Sequence, residues 1–210
     1  MKTYFYSVLV LLFTTSLWSQ IKYDKNREFN DLNDALKNPE LIYRLNLSNQ
    51  NLKLDGVDWS KFINLEYLSL KNDHLKEIPN GITKIKTLKS IDLSGNDFDV
   101  LPSDFANLEF LEEIKLNDEI KMDLPKTLDI LAKLPILKSL YLENDQLKTI
   151  PSEVLKMKSL ENLYLGNNQI EKVPVLKKLD HLKYLDLKDN KIKTDLQDMK
   201  NLNFGIKVNF

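Results

Sequence analysis

The feature that most constrains this chain is a triplet of alternating apolar and polar residues that returns every 21 to 26 positions. Leu45-Asn46-Leu47, Leu68-Ser69-Leu70, Ile91-Asp92-Leu93 and Ile114-Lys115-Leu116 open the series. Leu140-Tyr141-Leu142, Leu163-Tyr164-Leu165, Leu185-Asp186-Leu187 and Ile206-Lys207-Val208 continue it. The intervals between first residues are 23, 23, 23, 26, 23, 22 and 21. Self-similarity at such a period marks a stack of repeated units. Alternation with period two marks a strand with one buried face. Each triplet leads into a turn rich in Asn, Asp and Gly, such as Ser94-Gly95-Asn96-Asp97 and Gly166-Asn167-Asn168-Gln169. An apolar residue closes the turn: Leu52, Leu75, Phe98, Leu147, Ile170 and Ile192. Five units then carry an apolar-proline pair: Ile78-Pro79, Leu101-Pro102, Leu124-Pro125, Ile150-Pro151 and Val173-Pro174. Proline fixes φ and removes a donor, which suits an extended stretch entering a helical turn. Apolar residues at helical spacing follow, as in Val154, Met157 and Leu160. A unit of this length cannot bury its own apolar face, but stacked units can.

The segment Leu163-Tyr164-Leu165-Gly166-Asn167-Asn168-Gln169-Ile170, with Leu160 upstream, resembles the leucine-rich-repeat core L-x-x-L-x-L-x-x-N-x-L. The apolar-proline element and the 23-residue period resemble the repeats of secreted bacterial members of that family. The resemblance covers residues 41–210. It implies an α/β architecture: a curved right-handed solenoid with a parallel sheet on its concave face and short helices or 3-10 turns on its convex face. It also implies a role in binding proteins. The sequence departs from the family pattern in three places. The asparagine position holds Asn96, Asn168 and Asn190, but Gln50, Asp73, Glu119 and Asp145 elsewhere. An amide both donates and accepts, whereas a carboxylate only accepts, so the carboxylate turns should be less completely satisfied. The fourth unit has Lys121 in place of an apolar turn residue, and three extra residues around Thr127 to Leu134 predict a longer helical turn there. The last strand runs to Phe210 with no recognisable polar cap, and a bare apolar edge invites pairing.

Eight strands are expected in the repeat domain, 41–210, preceded by a capping segment at 21–40. Residues 29–38 read as a short helix with Asn30 or Asp31 as N-cap, Pro39 as stop, and Phe29, Leu32 and Leu36 on one face over Leu45 and Leu47. Residues 1–20 read as a secretory signal peptide: Lys2, an apolar run from Tyr4 to Phe13 broken only by Ser7, a polar Thr14-Thr15-Ser16, and a cut after Ser19 or Gln20. The apolar run is shorter than the roughly 20 residues of a membrane span. The expected location is therefore outside the cytoplasm: secreted, periplasmic or on the cell surface, with no membrane association once the leader is removed.

Composition narrows the function classes. There is no cysteine, which excludes disulfides, thiolate metal sites and cysteine nucleophiles. The formal charge of −1 lacks the basic excess of a nucleic-acid footprint, so no nucleic-acid partner is expected. The two histidines, His74 and His181, lie in different units with no ligand spacing. No phosphate loop, dinucleotide fingerprint, zinc-protease motif or nucleophile elbow is present. Acidic turns such as Lys71-Asn72-Asp73 and Lys188-Asp189-Asn190 are better explained by turn geometry than by calcium. The expectation is a non-enzyme without catalytic residues, cofactor or metal.

What remains is a surface. The leucines of each triplet point inward, so their neighbours form an outward grid on the sheet. In that grid Tyr141 and Tyr164 occupy one column in adjacent units, and Tyr184 is the diagonal neighbour of Tyr164. Gly166 is expected to leave open space beside them, with Glu143, Asp186 and Lys188 as a polar rim and Tyr67 standing apart. Aromatic residues with polar tips dominate interface hot spots. The expected partner is a protein, with a glycan as alternative ligand. The competing reading is a structural envelope or matrix component that associates with itself through the last strand.

Overall fold

The computed structural model describes residues 24–193, 200–203 and 205–210. The leader expected at 1–20 and the first three residues of the expected capping segment lie outside the described residues. No described helix is long and apolar enough to cross a membrane.

Among the described residues, nine strands form one parallel sheet in chain order: β1 (Glu28–Phe29), β2 (Arg44–Asn46), β3 (Tyr67–Ser69), β4 (Ser90–Asp92), β5 (Glu113–Lys115), β6 (Ser139–Tyr141), β7 (Asn162–Tyr164), β8 (Tyr184–Asp186) and β9 (Lys207–Asn209). Each strand is one coil of a leucine-rich-repeat solenoid, and the register is that of the sequence repeat from Leu45 opposite Leu68 and Leu68 opposite Ile91 on to Leu163 opposite Leu185. The last coil corrects the sequence spacing: Val208, not Ile206, stands opposite Leu185, so the final interval is 23 rather than 21 residues. Two leucine-type residues per coil point into the interior. Leu140, Leu142, Leu163 and Leu165 are completely buried. Behind them lie Leu65, Leu88, Leu111, Leu137 and Leu160, then Phe62, Ile85, Leu108, Leu134 and Met157, all in one continuous core. Fully burying one such side chain stabilises the fold by about 1.5–3 kcal/mol, and each is shared by two coils.

The convex side carries 3-10 turns at Trp59–Lys61, Ile82–Lys84, Ser103–Asn107 and Ser152–Lys156. Pro102 and Pro151 stand at the N-caps of two of them, as their fixed φ favours. The fourth repeat's extra residues give an α-helix, α2 (Leu124–Leu131), numbered after the short N-terminal α1 described below. Asp123 Oδ1 accepts from the Lys126 amide at 3.2 Å to cap it. Pro125 sits in the first turn of α2 rather than ahead of it. Where Lys121 cannot close the turn, Met122 packs against the core in its place. After Val173-Pro174 no 3-10 or α-helix follows, and this coil is the short one, with Leu185 coming 22 residues after Leu163.

At the N-terminus the sequence reading needs correction. The helix spans only Leu32–Ala35 (α1), with the Asp31 carboxylate capping the Asp34 amide at 2.9 Å. Phe29 is not helical. It belongs to β1, which pairs with β2 and adds a ninth strand to the eight expected. Phe29 and Leu32 pack on the core, but Leu36 is 39% exposed, because α1 ends before a second turn can bring it inward.

The turns after the strands explain their composition. Asn49, Asn72, Gly95, Asp118, Asn144, Asn167 and Asp189 all have positive φ, between 55° and 69°, in equivalent positions. Asn, Asp and Gly are the residues that tolerate this conformation. From Asp73 onward the next residue in each turn points inward, and these residues form a polar ladder. Asn96 Oδ1 accepts from the amides of Asp73 and Leu75 at 3.2 and 3.0 Å, while its Nδ2 donates to the carbonyls of Leu70 and Leu93. Asn168 repeats this with the Asp145 and Leu147 amides and the Leu142 and Leu165 carbonyls. Asn190 likewise accepts from Ile170 and donates to Leu165 and Leu187. The carboxylates Asp73, Glu119 and Asp145 keep only the accepting half, taking the amides of Gln50, Asn96 and Glu119 respectively. Gln50 ends the ladder by donating to the Asn30 carbonyl, which ties the first coil to the segment beyond β1.

Candidate interaction face

The outward residues of β5 to β9 converge on one patch. Tyr141 and Tyr164 face each other in register across β6 and β7. Their rings stack with centroids 4.0 Å apart and planes 3° from parallel. Tyr184 leans on Tyr164 with centroids 5.3 Å apart and a 52° tilt. The column is closed by a cation at each end: Lys115 Nζ lies 5.0 Å from the Tyr141 ring centre, and Lys207 Nζ lies 5.7 Å from that of Tyr184. Parallel strands about 4.8 Å apart set this spacing, since identical side chains in one column must lie one strand separation from each other. Cation–π contact then uses the two outer faces.

Carboxylates hold the hydroxyl ends. Tyr141 donates to Glu113 Oε2 and Tyr184 to Asp186 Oδ2, each at 3.4 Å. Burial raises the Tyr141 phenol far above its usual range, with Tyr164 and Glu113 adding to the effect. Burial and the Asp186 carboxylate push Tyr184 in the same direction. Tyr141 and Tyr184 therefore stand as neutral phenols. Asp186 is itself fixed by the Lys188 amide and the Asn209 side chain, both donating to Oδ1 at 3.0 Å.

The structure thus brings Tyr141, Tyr164, Tyr184 and Asp186 together. Glu143 sits at the strand exit, held by the Asn117 side chain at 3.0 Å. The open space expected at Gly166 is partly taken by Glu143, whose Oε1 lies 3.3 Å from where a Cβ would stand. Lys188 is exposed and its ammonium turns to Asp189 at 3.8 Å rather than to Asp186. Tyr67 is separate, on β3, under the Arg44 guanidinium at 4.2 Å, with Glu28 bridging Arg44 and Asn46. The sequence reading missed Lys115, Lys207 and Glu113 as members of the patch. Lys115 precedes Tyr141 in the same column, but position alone does not show that its ammonium reaches the ring, and Lys207 comes opposite Tyr184 only because the last coil is shifted by two residues from the triplet spacing.

One row at the strand entrances alternates in sign: Glu66, Lys89, Glu112, Lys138, Glu161, Lys183. Its members pair between coils, Glu66 with Lys89 at 3.0 Å, Glu112 with Lys138 at 2.6 Å and Glu161 with Lys183 at 2.7 Å. This rim of the face neutralises itself.

Comparison with known proteins agrees with the geometry. Family models described as leucine rich repeat match residues 135–192 and 87–108. A leucine-rich-repeat protein of Leptospira interrogans superposes with a TM-score of 0.57 at 24% identity, over 87% of this chain and 58% of that one. An internalin of Listeria monocytogenes gives 0.54 at 22% identity, over 86% and 64%. The mouse RP105/MD-1 complex gives 0.61 at 23% identity, over 81% and 31%. The chain therefore spans less than two thirds of the length of each of these structures. A sequence search among curated proteins gives no match. Likeness at these identities concerns the fold, which is that of a leucine-rich-repeat solenoid, and the two matched segments carry the leucine-rich-repeat motif.

Proposed function

We propose that this chain is an exported binding module that holds a protein partner on its concave face through the Tyr141–Tyr164–Tyr184 column. The observation that carries the reading is the column itself: three aromatic rings in contact, partly exposed, on the outward side of a sheet whose other side is the core. Such amphipathic rings supply large contact area at low entropic cost. Export rests on the leader-like residues 1–20, and the comparison with the RP105/MD-1 complex supports a protein as partner for this fold. The reading assigns no catalytic step and no cofactor.

The ring geometry favours a protein over a glycan or a nucleic acid. Sugars and bases are gripped by laying their flat surfaces on free aromatic faces. Here the faces are spent on one another and on Lys115 and Lys207. The surface offered outward consists of ring edges and hydroxyls beside Glu113 and Asp186, which suits polypeptide polar groups. The nearly balanced charge gives no general pull on phosphates.

The test is affinity capture from the envelope and medium of the producing cells with the wild type and with the Tyr141→Ala/Tyr164→Ala double variant. A hot spot of this kind contributes about 1–4 kcal/mol. Proteins retained by the wild type should be lost from the variant. Equal recovery by both removes the column from the binding surface.

A further inference from the structure

Equivalent positions in a repeat protein can be read against each other, and the ladder has one position out of keeping. In Asn96, Asn168 and Asn190 the side-chain oxygen accepts from the preceding coil while the nitrogen donates to two leucine carbonyls. Asp145 has Oδ1 in the accepting role, with the Glu119 amide at 2.7 Å. Its Oδ2 takes the place of the amide nitrogen and is buried with no partner. The carbonyls of Leu70, Leu93, Leu142, Leu165 and Leu187 each receive a ladder amide, whereas the equivalent Leu116 carbonyl, between Glu119 and Asp145, receives none among the described residues. Two acceptors thus stand where one donor is missing.

We propose that Glu119 and Asp145 form a proton-operated clasp joining the coils of β4, β5 and β6. The protonated carboxyl supplies the O–H that the Leu116 and Leu142 carbonyls lack from this side, and closes the ladder as an asparagine would. The ionised pair leaves two charges and an unanswered acceptor in an interior where such groups are costly.

The surroundings fix the sign. Glu119 and Asp145 are 5% and 8% exposed. The charged groups acting on Glu119 are Asp145, Asp97 and Asp118, and those acting on Asp145 are Asp118 and Glu143. All are carboxylates. Burial lifts Glu119 to about 8 and Asp145 to about 7, against the opposing pull of the amides that donate to them. An unfolded carboxylate titrates near pH 4. The folded chain therefore holds protons that the unfolded chain releases. The clasp's stabilisation is complete below about pH 4 and is lost progressively as pH rises through 7 and 8. The clasp lies where the charged half of the sheet joins the tyrosine column, since β5 carries Lys115 and Glu113 and β6 carries Tyr141.

Amide hydrogen exchange on the intact chain, corrected for the intrinsic rate, tests this at about pH 5.5 and about pH 8.5. The amides of Asn96 and Glu119, which the clasp holds, should lose roughly tenfold or more of their protection at the higher pH. The Ile170 amide, held by Asn190, should not, and so serves as control within the same molecule. In Asp145→Asn the Glu119 amide should keep its protection at both values, and the melting temperature should fall less across this range, the remainder belonging to Glu119. Equal loss at Ile170, or an unchanged pH response in Asp145→Asn, overturns the proposal.

Discussion

The interior spine and the concave face lie one residue apart on every strand, yet they obey different rules. In β6, Leu140 is completely buried and Tyr141 beside it is partly exposed. Across the seven triplets from Leu45 to Leu187 the flanking positions hold only Leu or Ile. The middle position runs through Asn, Ser, Asp, Lys, Tyr, Tyr and Asp. A shared core tolerates a narrow range of shape, because close packing makes every lost methylene felt. The outward position has no packing partner in the interior, so its chemistry is free to follow a ligand. Stability and recognition are thereby separated by the pleat of a strand, and changes in one region should leave the other nearly untouched.

Four variants test that separation. Leu142→Ala should cost about 2–5 kcal/mol in thermal or denaturant unfolding, through the cavity it leaves between two coils. The folded fraction should bind as before. A loss of binding by folded Leu142→Ala protein would break the separation. Asn168→Ala should cost about 1–3 kcal/mol, because it strands the Asp145 and Leu147 amides and the carbonyls they accompany. Circular dichroism during urea unfolding would measure it. Gly95→Ala should cost about 1–2 kcal/mol, since φ is +69° and the new Cβ would run into Asn72 Oδ1. Smallest is the stability effect of Tyr141→Ala with Tyr164→Ala, about 0.5–1.5 kcal/mol from the lost stack. A larger loss in the same unfolding assay would mean that the column serves the spine rather than the face.

The spine was legible in the sequence because seven nearly equal intervals leave one way to bury the leucines. The ladder was partly legible too: the residue types at 73, 119 and 145 foretold turns short of a donor, and Asp145 Oδ2 shows it. The cap was misread because Phe29, Leu32 and Leu36 fit a helical face as well as they fit a strand followed by a single turn, and only pairing with β2 decides between them. The tyrosine cluster could be placed by counting columns. Its lysine ends could not be, because cation–π contact depends on where a flexible four-carbon stem is directed, and column position leaves that direction open. For the same reason Lys188, expected beside Asp186, turns to Asp189.

The alternating row at the strand entrances bears on how such a chain finds its own order. Coils this alike could in principle stack with one left out, and the leucines would hardly object. Omitting any coil in the run from β3 to β8 would set Glu66 against Glu112, Lys89 against Lys138, Glu112 against Glu161, or Lys138 against Lys183. Like charges directly opposite each other on neighbouring strands repel. Each coil thus carries a mark that accepts its true successor and rejects the one after, and a sequence of near-copies assembles in its written order.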